Sequence, residues 1–273
     1  MAISTSHSLE PESASLLDDI LILDRRLPSR LVSFLGLDFA PMDPETLLKR
    51  VVEAASRNDG FRYLVTPNVD QMVRLHAAPE NTVLHQDAWV NVNDSRILEV
   101  LAKWSGIVLP ACPGSDLTER LFSKIIDPNE PVVIIGCSSE VVEAIKLRYG
   151  LSDMRWYQPP MGLKTNPEAV LATAKFCAEN AARFTFLCVG SPQQEMVARA
   201  IKQLGDVKGI GLCVGASLEF LAGTRKRAPT WMQKARLEWL FRLTSEPKVL
   251  WRRYLVEGPK IFGIWWHWRN RVG

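Results

Sequence analysis

The chain has 273 residues, with 33 Lys and Arg against 30 Asp and Glu, for a net charge of +3. That length can bury a full core, and 47% hydrophobic with 23% charged residues is ordinary for a globular protein. The longest apolar runs, PVVIIG and FTFLCVG, fall far short of the ~20 residues that a spanning helix needs, so no transmembrane helix is expected.

The charge is unevenly placed. From Arg225 onward there are 12 Lys and Arg against three acids, a local +9, which leaves −6 for residues 1–224. Six of the nine Trp (Trp231, Trp239, Trp251, Trp265, Trp266, Trp268) also lie in this tail. The five Cys form no CxxC pair, and Cys188 and Cys213 sit in apolar strand-like runs, as free thiols do in a reducing cytosol. The four His have no ligand spacing, so no metal and no cofactor are expected.

Residues 1–30 are Ser-rich and read as a mobile leader. The first twenty, MAISTSHSLEPESASLLDDI, lack a basic segment, and acids interrupt their apolar patch, which argues against a secretory signal. LVSFLG (31–36) reads as a first strand. MDPETLLKRVVEAASR reads as a helix with Asp43 as N-cap and Pro44 at its first position. A strand at 61–66, the loop TPN and a helix from near Val69 follow. AWVNVND (88–94) reads as a short strand ending in an acid, and SRILEVLAKWSG as a helix. LPACPGSDLTERLFSKI is a loop feeding a helix capped near Ser115 or Asp116. PVVIIG, MRWYQPPMG, FTFLCVG and KGIGLCVG open further strand–loop units, and NPEAVLATAKFCAENAAR is a helix capped by Asn166. Repeated β–loop–α units with continuous apolar strands imply an α/β fold, a Rossmann-like and mainly parallel sheet flanked by helices. The domain reading is a core over 31–222 and a basic, Trp-rich helical appendage over 223–273.

In such a sheet ligands bind beyond the C-terminal strand ends. TPN (66–68), ND (93–94), GCSS (136–139), GSPQQE (190–195) and GAS (215–217) fall there. Each can turn backbone N–H groups and a helix N-terminus toward an anion such as a nucleotide diphosphate. The candidate substrate-binding residues are Thr66, Asn68, Gly136, Gln194, Glu195, Gly215 and Ser217. Each loop taken singly is also read as a plain helix cap. No GxGxxG or GxxxxGK[ST] occurs, which counts against NAD and P-loop chemistry. Asp94, at a strand end, is either a carboxylate facing a cleft or the N-cap of the helix after it. The tail has three readings: it docks on an anionic membrane, packs on the body, or binds nucleic acid. With no nucleic-acid motif and an acidic body, the membrane is favoured.

The order TPN … ND … PGSDL … GSPQQE … GASLEFLAGTRKRAP–W–MQ … LEWLFRL–x–x–EP … RRY resembles the WecG/TagA/CpsF family of bacterial glycosyltransferases over roughly residues 32–256. The resemblance implies a metal-independent, inverting transferase. Such an enzyme moves a sugar from a UDP-sugar donor to a polyprenyl-diphosphate-linked sugar acceptor at the cytoplasmic face of the inner membrane. It implies Asp94 as catalytic base, Thr66, Asn68 and Gln194 in the pocket, and Arg242 and Arg252 as appendage arginines reaching the leaving diphosphate. Ser95–Arg96 after the Asp, Ala111–Cys112 before Pro113 and Lys248–Val249 after EP depart from the family pattern and bear on donor and acceptor identity. Asp-Ser-Arg fits the exopolysaccharide branch and UDP-glucose. UDP-N-acetylmannosamine, its uronic acid and UDP-glucuronic acid stay open, as does a homo-oligomer. From another class, a non-catalytic, membrane-docking nucleotide-binding module stays open too. Residues 257–273 read as the membrane anchor alone.

Overall fold

A computed structural model describes residues 31–229, 231, 232, 235 and 237–272. The leader read over residues 1–30 lies outside them. The chain opens with a hairpin, β1 (Val32–Phe34) and β2 (Leu37–Phe39), paired antiparallel as a sheet of its own. The sequence reading of one strand over 31–36 is therefore corrected. Leu35 and Gly36 both have positive φ, 53° and 78°, the conformation of a two-residue turn whose twist matches the flanking strands. Leu35 occupies this unfavourable region while almost completely buried among the hairpin's neighbours.

The main sheet contains β3 (Phe61–Val65), β4 (Val90–Asn91), β5 (Val132–Gly136), β6 (Met154–Tyr157), β7 (Phe184–Cys188) and β8 (Gly209–Cys213). The order is β4-β3-β8-β7-β5-β6, and every pairing is parallel. Helices α1 (Pro44–Ala55), α2 (Val69–Ala77), α3 (Thr82–Gln86), α4 (Arg96–Trp104), α5 (Gly114–Lys124), α6 (Ser139–Tyr149), α7 (Pro167–Glu179), α8 (Gln193–Leu204) and α9 (Ser217–Ala222) alternate with or flank the strands. After α9 come α10 (Glu238–Ser245), α11 (Pro247–Trp251), a π-helical turn over Arg252–Glu257, and α12 (Lys260–Val272).

The strands are apolar throughout because both sheet faces are covered. Leu64, Ile134, Phe186 and Leu212 point to one face, against α1, α5, α6 and α9. Tyr63, Val65, Val133, Ile135 and Leu187 point to the other, against α7 and α8. Burying each such side chain stabilises the fold by about 1.5–3 kcal/mol. A third core joins the hairpin to α2, α4 and α12 through Phe34, Phe39, Met72, Leu101, Ile261 and Trp265.

Helix starts follow the expected chemistry. Asp43 accepts from the N–H groups of Glu45 and Thr46, and Asn166 from that of Ala169. α5 is different: Pro113 precedes it and offers no side-chain cap, and neither Ser115 nor Asp116 supplies one.

Candidate active site

The strand order brings together the C-terminal ends of β4, β3, β8 and β7. A cleft of about 690 Å³ opens above them and is closed over by α10, the π turn and the start of α12. That size suits a nucleotide-sized ligand. The N-terminal ends of α2, α4, α5 and α8 converge on it, so their helix dipoles bias it toward an anion.

Asp94 lines this cleft, half-buried. It is not the cap of the helix that follows: Ser95 is, accepting through its Oγ from the N–H groups of Ile97 and Leu98. Instead Asp94 Oδ1 accepts from the Gly114 N–H at 2.7 Å, at the first residue of α5. Its own N–H donates to the Pro67 carbonyl at 3.0 Å, which seats it beside Asn68. Burial pushes the Asp94 carboxyl up to about 7; the Gly114 N–H, the Arg242 charge and the Asn68 amide pull it down, while Glu238 adds to the rise. The group therefore changes charge near neutral pH, as a general base must.

Arg242 comes to the cleft from α10. Its guanidinium lies 4.8 Å from the Phe220 ring centroid and 3.8 Å from a Glu238 carboxylate oxygen. Burial works against its charge, but Tyr254, Glu238 and Asp94 outweigh it and raise the Arg242 pKa. Arg252 is placed otherwise. Its side chain is 74% exposed, pairs at 4.0 Å with Glu257 and does not line the cleft. The neighbouring Arg253 does line it, 3.5 Å from Asp70 Oδ2, the same oxygen that Arg74 meets at 2.9 Å. The two arginines are neighbours on the π turn, so their side chains leave it in different directions and only one meets the cleft.

The loop residues divide between cleft wall and support. Thr66, Asn68, Gln194, Gly215 and Ser217 line the cleft. Thr66 Oγ1 donates to the Cys213 carbonyl and Ser217 Oγ to the Val214 carbonyl. Gln194 ties two loops together, accepting from the Gly215 N–H at 3.0 Å and donating to Glu195 at 2.8 Å. The Gly215 N–H read as a ligand donor is thus engaged within the protein. Glu195 is wholly buried beneath the wall. Gly136, at the end of β5, is not a lining residue. A Cβ there would come within 2.8 Å of Val189 and 3.0 Å of the Cys188 backbone, so the glycine serves close packing of β5 on β7.

Cleft residues that the sequence reading did not name as site residues include Glu238, Arg253, Tyr254 and the Gly114 N–H, while Arg96 entered it only as a departure from the family pattern. Glu238 carried a visible signal, four residues before Arg242, and Arg96 another, two residues after Asp94. Arg96 is exposed on the rim next to Asp94, with no ion pair among the described residues. Among the described residues no group of three or more His, Cys, Asp and Glu could hold a metal ion.

The appendage is clasped to the body. Arg225 holds Glu246 with two bonds of 2.9 and 3.0 Å and Glu219 at 3.0 Å, while Arg227 pairs with Asp116. Residues 257–273 are not an anchor alone, which corrects that reading. Trp265 is 9% exposed and donates to Ser105 Oγ at 2.9 Å, and the Trp268 ring meets Phe34 at 5.2 Å. Among the described residues no helix is long and apolar enough to cross a membrane.

A cleft at parallel strand ends of an α/β sheet, lined by a carboxyl that burial pushes up to about 7 and by arginines, can hold an anion and take up a proton beside it. The sequence model of the glycosyl transferase WecG/TagA/CpsF family matches residues 32–272, and the chain belongs to that family. The match runs through α12, beyond the limit near residue 256 read from the motifs. Family membership makes the chain a glycosyltransferase of lipid-linked glycan synthesis, with a nucleotide-sugar donor and a lipid-linked acceptor.

Proposed function

We propose that the protein transfers a hexose with inversion, and without a metal, from a UDP-sugar, with glucose the first choice, to a polyprenyl-diphosphate-linked sugar during exopolysaccharide assembly. The observation that carries the chemistry is Asp94, held by the Gly114 N–H within the field of Arg242. Its second oxygen takes the proton of the acceptor hydroxyl as the new glycosidic bond forms on the face opposite the leaving group. The bond from the anomeric carbon to the UDP oxygen breaks, and the diphosphate takes the electron pair. Arg242, Arg253, the unpaired Arg96 and the converging helix N-termini supply the opposing charge that a metal supplies in other enzymes. In this reading Arg253, rather than Arg252, is the inward appendage arginine.

The same reading puts the protein at the cytoplasmic face of the inner membrane. Trp251, Leu255, Phe262 and Trp266 are exposed on the appendage, near Lys260, Arg269 and Arg271. Apolar side chains interleaved with cations suit an anionic bilayer surface. The test is UDP release by the full chain from a panel of UDP-sugars with a synthetic lipid-diphosphate-linked sugar. Release that needs both partners, fastest with UDP-glucose, is expected. UDP binding with no release from any donor would instead support the non-catalytic module.

A further inference from the structure

We propose that the end of α4, with Trp104 and Lys103, belongs to the bilayer-docking face, so that the body and the appendage meet an anionic lipid surface together. The inference deepens the membrane reading of the appendage and rests on it.

α4 and α12 lie side by side. Ile97, Leu98 and Leu101 of the one share a core with Ile261 and Trp265 of the other. Both helices begin at the cleft, where Arg96, Ile97, Ile261 and Phe262 line the wall, and both lead away from it. Trp266 stands one turn beyond Phe262 on the same side of α12, and both are exposed. Trp104, the last residue of α4, is 56% exposed. The Trp265 ring joins these two faces: its centroid lies 5.8 Å from that of Trp104 and 6.5 Å from that of Trp266. The bond from Trp265 to Ser105, the residue after Trp104, fixes the junction. The exposed rings therefore form one strip that starts at the cleft mouth and crosses two helices.

The strip is cationic. Lys103, Arg269 and Arg271 are exposed along it and Arg96 at the mouth. The sequence of α12 contains no acid, and the single acid of α4, Glu99, is half-buried and accepts from the Ala111 N–H at 3.3 Å. Trp rings favour the boundary between headgroups and acyl chains, and Lys and Arg reach anionic headgroups. The occupant follows from the acceptor. It is lipid-linked, and its tail stays in a bilayer, so the surface continuous with the cleft mouth is the one that lipid meets. Phe262 belongs to both, lining the cleft and opening the strip. Trp104 lies in the acidic body, outside the basic tail, so a count of charge and Trp along the chain assigns the membrane to the tail alone.

The experiment is co-sedimentation of the full chain with vesicles of phosphatidylglycerol and phosphatidylcholine, titrated in lipid. Trp104→Ser is expected to weaken vesicle binding about threefold or more, the loss of one interfacial aromatic, and to leave UDP affinity unchanged. Lys103→Glu, at an exposed position, carries the same expectation and replaces Trp104→Ser should that chain, which also loses the Trp265 contact, not fold. A folded Trp104→Ser chain that binds vesicles as the wild type does, while Phe262→Ser with Trp266→Ser binds less, overturns the inference and leaves the appendage reading standing. A wild-type chain that does not sediment with these vesicles overturns both. A folded Trp104→Ser chain with unchanged vesicle affinity but a smaller mass in solution marks the face as a contact between copies of the chain, which also overturns the proposal.

Discussion

Asp94 shows how a single side chain can be visible in a sequence and still carry two readings. An Asp before a helix reads equally as cap or as catalyst, and the deciding fact is that Ser95 takes the capping bonds while Asp94 reaches 20 residues along the chain to Gly114. No local pattern carries that contact, because it depends on how α5 is aimed at the end of β4. Gly136 is placed differently: its loop looks like the others, but β5 lies beyond β7 in the sheet, away from the cleft. The raised Asp94 carboxyl has a consequence for stability. Its folded value, near 7, lies above the ordinary carboxylate value, so between these limits the native state holds a proton that the unfolded chain has lost. Ionisation therefore costs stability, increasingly as pH rises from about 4 and fully above about 7. Asp94→Asn, which keeps an acceptor for the Gly114 N–H, is expected to raise Tm by roughly 3 °C or more at pH 8, with the gap closing toward pH 4. A thermal melt series across that range checks it.

At the scale of elements, periodicity and capping residues were sufficient for most of the fold. Asp43–Pro44 and Asn166–Pro167 mark helix starts through chemistry confined to a few residues. The readings that failed depend on geometry a linear pattern lacks. LVSFLG is one apolar run, yet Leu35 and Gly36 reverse it. Adjacent arginines leave a helical turn in different directions, and the sequence does not say which one meets the cleft. The structure turns Arg253 inward beside Asp70 and leaves Arg252 in solvent. Arg253→Ala is accordingly expected to lower kcat/KM by tenfold or more, the loss of a charge-assisted contact to a diphosphate, and Arg252→Ala by less than threefold. Steady-state UDP release by the two variants checks the difference.

For the whole molecule, the basic tail seen in the composition has two roles built into one element. One face of α12 completes the core that holds the hairpin, α2 and α4, through Ile261 and Trp265. The other leaves Phe262 and Trp266 49% and 58% exposed. Charge and Trp counts exposed the asymmetry of the chain but could not tell a buried Trp from a displayed one. Removing the tail would uncover apolar core, so its membrane role is tested by surface substitution. Phe262→Ser with Trp266→Ser is expected to preserve Tm within about 2 °C and to reduce sedimentation with anionic vesicles severalfold, since each lost apolar side chain is worth about 1–2 kcal/mol of interfacial burial.

The account stands most directly on the turnover of Asp94→Asn with its preferred UDP-sugar and lipid-linked acceptor, measured beside its affinity for UDP. A loss of about 100-fold or more in kcat with UDP affinity unchanged is predicted, the scale of a lost general base. A folded Asp94→Asn chain that turns over at near the wild-type rate would contradict it.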